Sequence, residues 1–531
     1  MYAMKKTIRK LTAGLLVVLT SFSCDRDQAD SYDIDGTPFE TLSHDQIILG
    51  DKLQDPYSVE NVTKAIASLY PTKAGRAEVA ETDYYVRFLP APEDQYASLV
   101  ESGLELVDHP LDFQIIQDGD WYHDPAIEQE LITWQYAVVP RDYVFPASIR
   151  YEILDRVYIS EHDPATRAGS DGIDWAAVER EAYRLTGNED MLVPRTKAKA
   201  QPQGRITIVD EHANGGKAFG VAGVKVVVNS FVKFSTCYTD RDGYYEIPKK
   251  YSSNVRYRLM FKNEKGFSIG VNLILLPASM SALGKGPAEG LDVEIDKNSD
   301  RKLFSRCVVN NAVYEYFERC SDEDLGIQPP PANLRIWLFQ SLRVSSACML
   351  RHGAVVDNSI LRDFLGEYGT LVKIFLPDIT LGLKGADSYA SIWSSANHEL
   401  AHASHFRQVG KEYWDKYIWY VLSSFVSTGM TYGDGSGNYA GYCAVGEMWG
   451  YFMQNWLYSG RYGGVMPVAG SSYWFAPQVL RYLCERGLAP GKIFKAMTAD
   501  VCSVEDLAEK LVQKYPDYEK MIREVFDLYT K

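Results

Sequence analysis

The run SIWSSANHELAHASHFRQVG, residues 391–410, places three of the chain's nine histidines within eight positions. Two of them, His398 and His402, bracket Glu399 in the pattern His-Glu-x-x-His. Residues four apart share one face of a helix, so both imidazoles can address a single ion. Glu399 sits about 100° further round the same helix. Two nitrogen donors with a carboxylate beside them are the equipment of metal-assisted hydrolysis. The competing reading is a polar helix whose histidines hold nothing, and the surrounding elements must separate the two.

A catalytic zinc site needs a third protein ligand and an open fourth position. His405 lies on the face of His398, but seven residues amount to about 10 Å of straight helix, too far to reach the same ion. Apolar Leu400 and Ala401 face the other way, a strand-like segment precedes the helix, and an acid-bearing helix, VGEMWGYFMQNWL, follows at 445–457. Strands, then a histidine helix, then an acidic helix: this order resembles the zincin metallopeptidases. The resemblance implies that Glu399 is the general base acting on a water at a zinc ion, with His398 and His402 as ligands. The metzincin branch does not fit, because His405 stands where its glycine would be and Gln408 where its third histidine would be. The glutamate-bearing helix is similar to that of gluzincins, which implies Glu447 as third ligand, with Glu412 and other downstream acids as alternatives. The separation from His402 to Glu447 is longer than in thermolysin-like enzymes and more like that of the long-gap toxin zincins. Tyr439 and Tyr442, on the Gly-rich loop before Glu447, are candidates to donate a hydrogen bond to an oxyanion, as a tyrosine does in several gluzincins. His405 is then a residue behind the ligands or beside the substrate.

Other segments frame this site. The run 370–376, TLVKIFL, reads as a strand, either in the core or at an edge where a peptide substrate adds by β-pairing. DGSGN at 434–438 lacks the final glycine and glutamate of a calcium loop and reads as plain loop. The segments 300–320 and 411–426 have helical spacing, and 333–340 is strand-like.

At 531 residues the chain is too long for one ordinary core, and roughly two to four domains are expected. A formal net charge of −15 and the lack of a basic tract argue against a nucleic-acid partner. Lys5, Lys6, Arg9 and Lys10 precede a short apolar run at 11–22 that ends in LTSFSC. This leader (1–24) resembles a bacterial lipoprotein signal with Cys24 as the lipidated residue, although Ser21 stands where a leucine is usual; a plain secretory signal is the alternative. The following DRDQAD is similar to the export signal of Bacteroidetes surface lipoproteins, which implies an outer-membrane lipoprotein at the cell surface. Seven cysteines remain, without Cys-x-x-Cys spacing, so neither a disulfide framework nor a cysteine zinc site is expected.

Residues 25–198 read as an N-terminal α+β domain behind a polar tether that runs to about residue 60. Its expected elements are strands at 84–89, 104–107 and 133–140 and a helix at 92–101. After the basic linker 194–204 the texture changes to short alternating strands with Gly-rich and Asp-Gly turns. GVAGVKVVV and TDRDGYYEIP resemble the carboxypeptidase regulatory-like module, a transthyretin-type β-sandwich, here at 203–298; a turn before Gly243 accounts for Asp240 and Asp242 without calcium. Residues 300–531 form the zincin-like α+β domain. The whole reads as a multi-domain exported zinc metallopeptidase acting on peptide or protein substrates, with the membrane reached through Cys24. Its rival is a surface binding lipoprotein, for nutrient capture, whose zincin domain is inactive.

Overall fold

The computed structural model describes residues 46–72, 79–90, 93–128, 131–164, 172–193, 199–270, 279–321, 323–340, 343, 345–354, 377–428, 430, 432–463 and 473–529. Helices and several separate sheets alternate through them, an α+β architecture. The leader with Cys24 and the expected strand at 370–376 lie outside the described residues.

In the N-terminal part, strand Asp83–Leu89 is central in a three-stranded antiparallel sheet, between Gln135–Pro140 and Arg150–Val157. Its alternation sends Val86 and Phe88 into one apolar cluster with Tyr96 and Leu99 of helix Glu93–Glu101, and Tyr85 into another with Tyr183. Helices Val59–Leu69 and Trp175–Leu185 start at side-chain caps, Ser58 and Asp174, and bury Ile66 and Val178 in a shared cluster. Two sequence expectations need correction. The extended run at 104–107 is reduced to a single bridge, Val107 with Tyr136. The supposed tether holds structure before residue 60: Ile48–Lys52 pairs with Phe113–Gln117, and Ile47 is buried.

From Gln203 the chain builds two further sheets. The smaller joins Tyr244–Glu246, Gln203–Ile208, Val293–Ile295 and Phe219–Gly220. The larger runs in the order Ile379–Gly382, Arg335–Phe339, Ser268–Gly270, Val255–Asn263, Val224–Ser230, Lys233–Tyr238, with Met280–Gly286 also on Val255–Asn263. The Asp240 carboxylate accepts the backbone N–H groups of Asp242 and Tyr244, and Gly243 has φ +76° with the Ile206 carbonyl 2.0 Å from where a Cβ would lie. The turn therefore uses Asp240 and requires that glycine.

The larger sheet crosses the expected boundary near residue 299. Ser268–Gly270 pairs in parallel with Arg335–Phe339, which pairs in parallel with Ile379–Gly382. Every residue of Arg335–Phe339 is buried, as a strand with neighbours on both edges and cover on both faces requires. One continuous apolar core reaches from Val193 to Phe526.

Against this sheet stand the helices that carry the site. Helix Arg301–Arg319 is capped by Asp300. The histidine helix, Tyr389–Val409, opens with a capping box between Ser388 and Ser391 and is buried on nearly all sides. Gly410, at φ +82°, stops it and lets helix Lys411–Thr428 begin at once and fold back. The glutamate helix, Ala440–Tyr462, packs antiparallel to the histidine helix: His402 meets Glu447, His398 meets Gln454, and Trp393 meets Tyr462. All seven described cysteines are free thiols.

Candidate metal centre

The two histidines converge as their spacing predicts. His398 Nε2 and His402 Nε2 lie 3.0 Å apart, and each is 3.6 Å from Glu447 Oε2. For a tetrahedral zinc with ligand bonds near 2.0–2.1 Å, neighbouring donor atoms stand roughly 3.3–3.4 Å apart. The observed separations bracket that value, and the donor set, two imidazoles and a carboxylate, is the one such an ion takes. The residues fit the metal. Among the described residues this is the one group of three or more His, Cys, Asp or Glu side chains placed to share an ion. Glu412, the alternative third ligand, is exposed at the start of the following helix.

The partners behind the ligands set their chemistry. The Gln454 amide donates to Ser394 Oγ at 3.1 Å, which leaves its Oε1 to accept from His398 Nδ1 at 3.2 Å. With its proton on Nδ1, His398 keeps the Nε2 lone pair directed at the cluster. Tyr417 donates a 2.5 Å hydrogen bond to Glu447 Oε1, leaving Oε2 toward the histidines. Burial by itself would raise the Glu447 carboxyl, but the adjacent imidazoles of His402 and His398 outweigh it and hold it well below the usual range. Burial lowers His402, with Glu447 opposing, so the imidazole favours its neutral, ligating form. Rings close the sides: Tyr451 lies 4.6 Å from His398 edge-on, and Trp414 5.9 Å from His402.

Gly450 makes the approach of the two helices feasible. A Cβ there would lie 2.8 Å from the His402 ring and 3.0 Å from His398 Cε1. Tyr417, Gly450 and Gln454 were not singled out in the sequence. The available signal was the stripe Gly446, Glu447, Gly450, Gln454, which recurs at helical spacing and puts small residues beside the acid.

The remaining candidates are placed differently. Glu399 is 1% exposed; burial raises the Cys348 thiol, a hydrogen bond to Ser346 opposes it, and the Glu399 charge adds a smaller push upward. Tyr439 is 42% exposed at the left-handed residue that starts the glutamate helix. Tyr442 accepts a hydrogen bond from Lys416 and packs on Tyr413, whose ring stands between it and His405. Two tyrosines touch the cluster, Tyr417 by its bond to Glu447 and Tyr451 by its ring against His398. His405 is fully buried against Tyr413 and Trp414, and among the described residues neither ring nitrogen has a hydrogen-bond partner. Burial, with a smaller push from His402, takes its pKa down to about 3, so it packs as a neutral ring.

The chain matches no protein-family model, and no curated protein is similar to it.

Proposed function

We propose that this protein is a zinc-dependent metallopeptidase that hydrolyses peptide bonds of extracellular proteins or peptides and is held at the cell surface through lipidated Cys24. The observation that carries the reading is the convergence of Glu447 on His398 and His402 at separations suited to a tetrahedral ion. In this reading the arrangement belongs to a gluzincin-like unit, with a transthyretin-type sandwich at 203–298 ahead of it. His398, His402 and Glu447 would hold the zinc ion, which when bound would supply Lewis acidity toward a carbonyl and lower the pKa of a water toward roughly 7.

The chain's own residues do the rest. Glu399, one position from a ligand on the same rigid helix, takes a proton from the attacking water and returns it to the leaving amine. Gln454 keeps the His398 proton on Nδ1, and Tyr417 holds Glu447 in one orientation. The Glu399→Gln change keeps the shape and removes the base. Zinc content should stay at the wild-type level while cleavage of a peptide library, read by mass spectrometry, falls by about two to four orders of magnitude. Equal rates for both proteins would reject Glu399 as base.

A second reading, a binding lipoprotein with an inactive metal centre, is favoured by one observation. His398, Glu399, His402 and Glu447 are each no more than 3% exposed. A zinc-loaded wild type that cleaves none of the library puts this reading first.

A further inference from the structure

Arg461 lies at the far end of the glutamate helix, fourteen residues and about four turns from Glu447. Its guanidinium donates to Asp210 Oδ2 at 3.1 Å and to both oxygens of Glu315 at 3.2 and 3.0 Å. The same group lies 5.1 Å from the Tyr389 ring centre, 5.3 Å from Trp393, 5.5 Å from Phe219 and 5.7 Å from Tyr462. The acids are shared with neighbours. Trp393 Nε1 donates to Glu315, and the Tyr462 hydroxyl donates to Asp210. Asp210, Tyr389 and Trp393 are at most 2% exposed.

These contacts come from three helices and the two-sheet unit. Tyr389 and Trp393 are the opening turns of the histidine helix, and Arg461 and Tyr462 close the glutamate helix. Glu315 belongs to helix Arg301–Arg319, while Asp210 and Phe219 belong to the two-sheet unit that starts at Gln203. One planar cation with fixed donor directions therefore ties both ligand-bearing helices to a unit that contributes no ligand.

We infer that Arg461 is a positioning residue for the metal centre: it sets the register between the histidine and glutamate helices, and it does so by anchoring both to Asp210 and Phe219 of the two-sheet unit. Antiparallel helices slide most easily along their common axis, and a slip of one turn is 5.4 Å. Such a slip exceeds the 3.6 Å between Glu447 and each histidine, so it would dissolve the ligand set. Gly446 and Gly450 permit close approach of the helices and, having no side chains of their own, add little resistance to sliding. The clamp supplies that resistance. The two-sheet unit is thus part of the metal centre's scaffold and not a detachable accessory. This role rests on the metal-centre reading above.

The test compares the full chain with Arg461→Met, Arg461→Lys, Asp210→Asn and, as a stability control, Arg258→Met, a buried arginine on strand Val255–Asn263 that bonds His109 and pairs with Asp118 in the N-terminal part. Zinc Kd is read by competition with a chromophoric chelator, and ligand geometry by the visible bands of the Co²⁺-loaded protein. Arg461→Met should weaken zinc by about threefold to thirtyfold, the usual scale for coupling through a remote contact, and reduce the tetrahedral cobalt bands. Arg461→Lys, which keeps the charge but not the fork, should fall between. Arg258→Met should lower Tm and leave Kd unchanged. If Arg461→Met does not fold, Asp210→Asn, which keeps shape and removes one charge, takes its place with the same readouts. Wild-type Kd and cobalt bands in the Arg461 or Asp210 variants, whatever happens to Tm, overturn the inference. A wild type that binds no zinc overturns the metal centre itself.

Discussion

Tyr417 Oη donates a 2.5 Å hydrogen bond to Glu447 Oε1 within the buried cluster, reaching it from the helix that immediately follows the histidine helix. The bond turns the other carboxylate oxygen toward both imidazoles, each 3.6 Å away. Tyr417→Phe removes one hydroxyl and preserves the ring. Zinc affinity should fall by about tenfold to a hundredfold, the usual cost of losing a partner behind a ligand. Titration calorimetry measures it, and an unchanged Kd would remove Tyr417 from the site.

Gly450 is required by contact and not by backbone conformation, since its Cβ position is occupied by the two imidazole rings. Gly450→Ala should push the glutamate helix away from His398 and His402. Overpacking of this kind costs about 1–3 kcal/mol. Thermal unfolding with and without zinc should show both a lower apo Tm and a loss of the zinc-induced rise. A variant that still gains the wild-type increment from zinc would show that the helices part without disturbing the ligands.

A separate prediction concerns acid stability. Glu161 bonds Lys233, which is wholly buried, and Lys199 at the junction between the N-terminal part and the two-sheet unit. Burial opposes ionisation of Glu161, but Lys233 and Lys199 outweigh it and bring its pKa from 4.5 down to about 2. A carboxylate depressed in the folded state stabilises fully above its unfolded value and loses that contribution as pH falls through the folded value. Denaturant midpoints should therefore drop between about pH 4.5 and pH 2. Glu161→Gln should be less stable at neutral pH and show a shallower acid limb. Parallel curves for the two proteins would dismiss the ion pair as the cause.

Cys24 carries the proposed attachment. Cys24→Ala should move the protein from the membrane fraction to the soluble one after cell fractionation, because one or two acyl chains are the expected source of membrane affinity. Retention in the membrane fraction would mean that the leader has been misread.

The part of the site legible in the sequence is the part made within one helix. His398 and His402 fall on one face because 3.6-residue periodicity is a local property, and Glu399 follows from the same geometry. The Asp240 turn and the capping at Ser388 are likewise local, set by side chains bonding backbone two or three residues away. Glu447 was reachable only through a resemblance, since nothing in its own helix distinguishes a ligand from a core-facing acid. Tyr417, Gly450, Gln454 and Arg461 depend on which helix faces which, and that is settled by packing between segments tens to hundreds of residues apart. The parallel pairing of Ser268–Gly270 with Arg335–Phe339 is of the same kind. A parallel neighbour is joined by a long crossover and leaves no turn residues to announce it, so the sheet that carries the two-sheet unit into the metal centre's scaffold emerges only when the chain is folded.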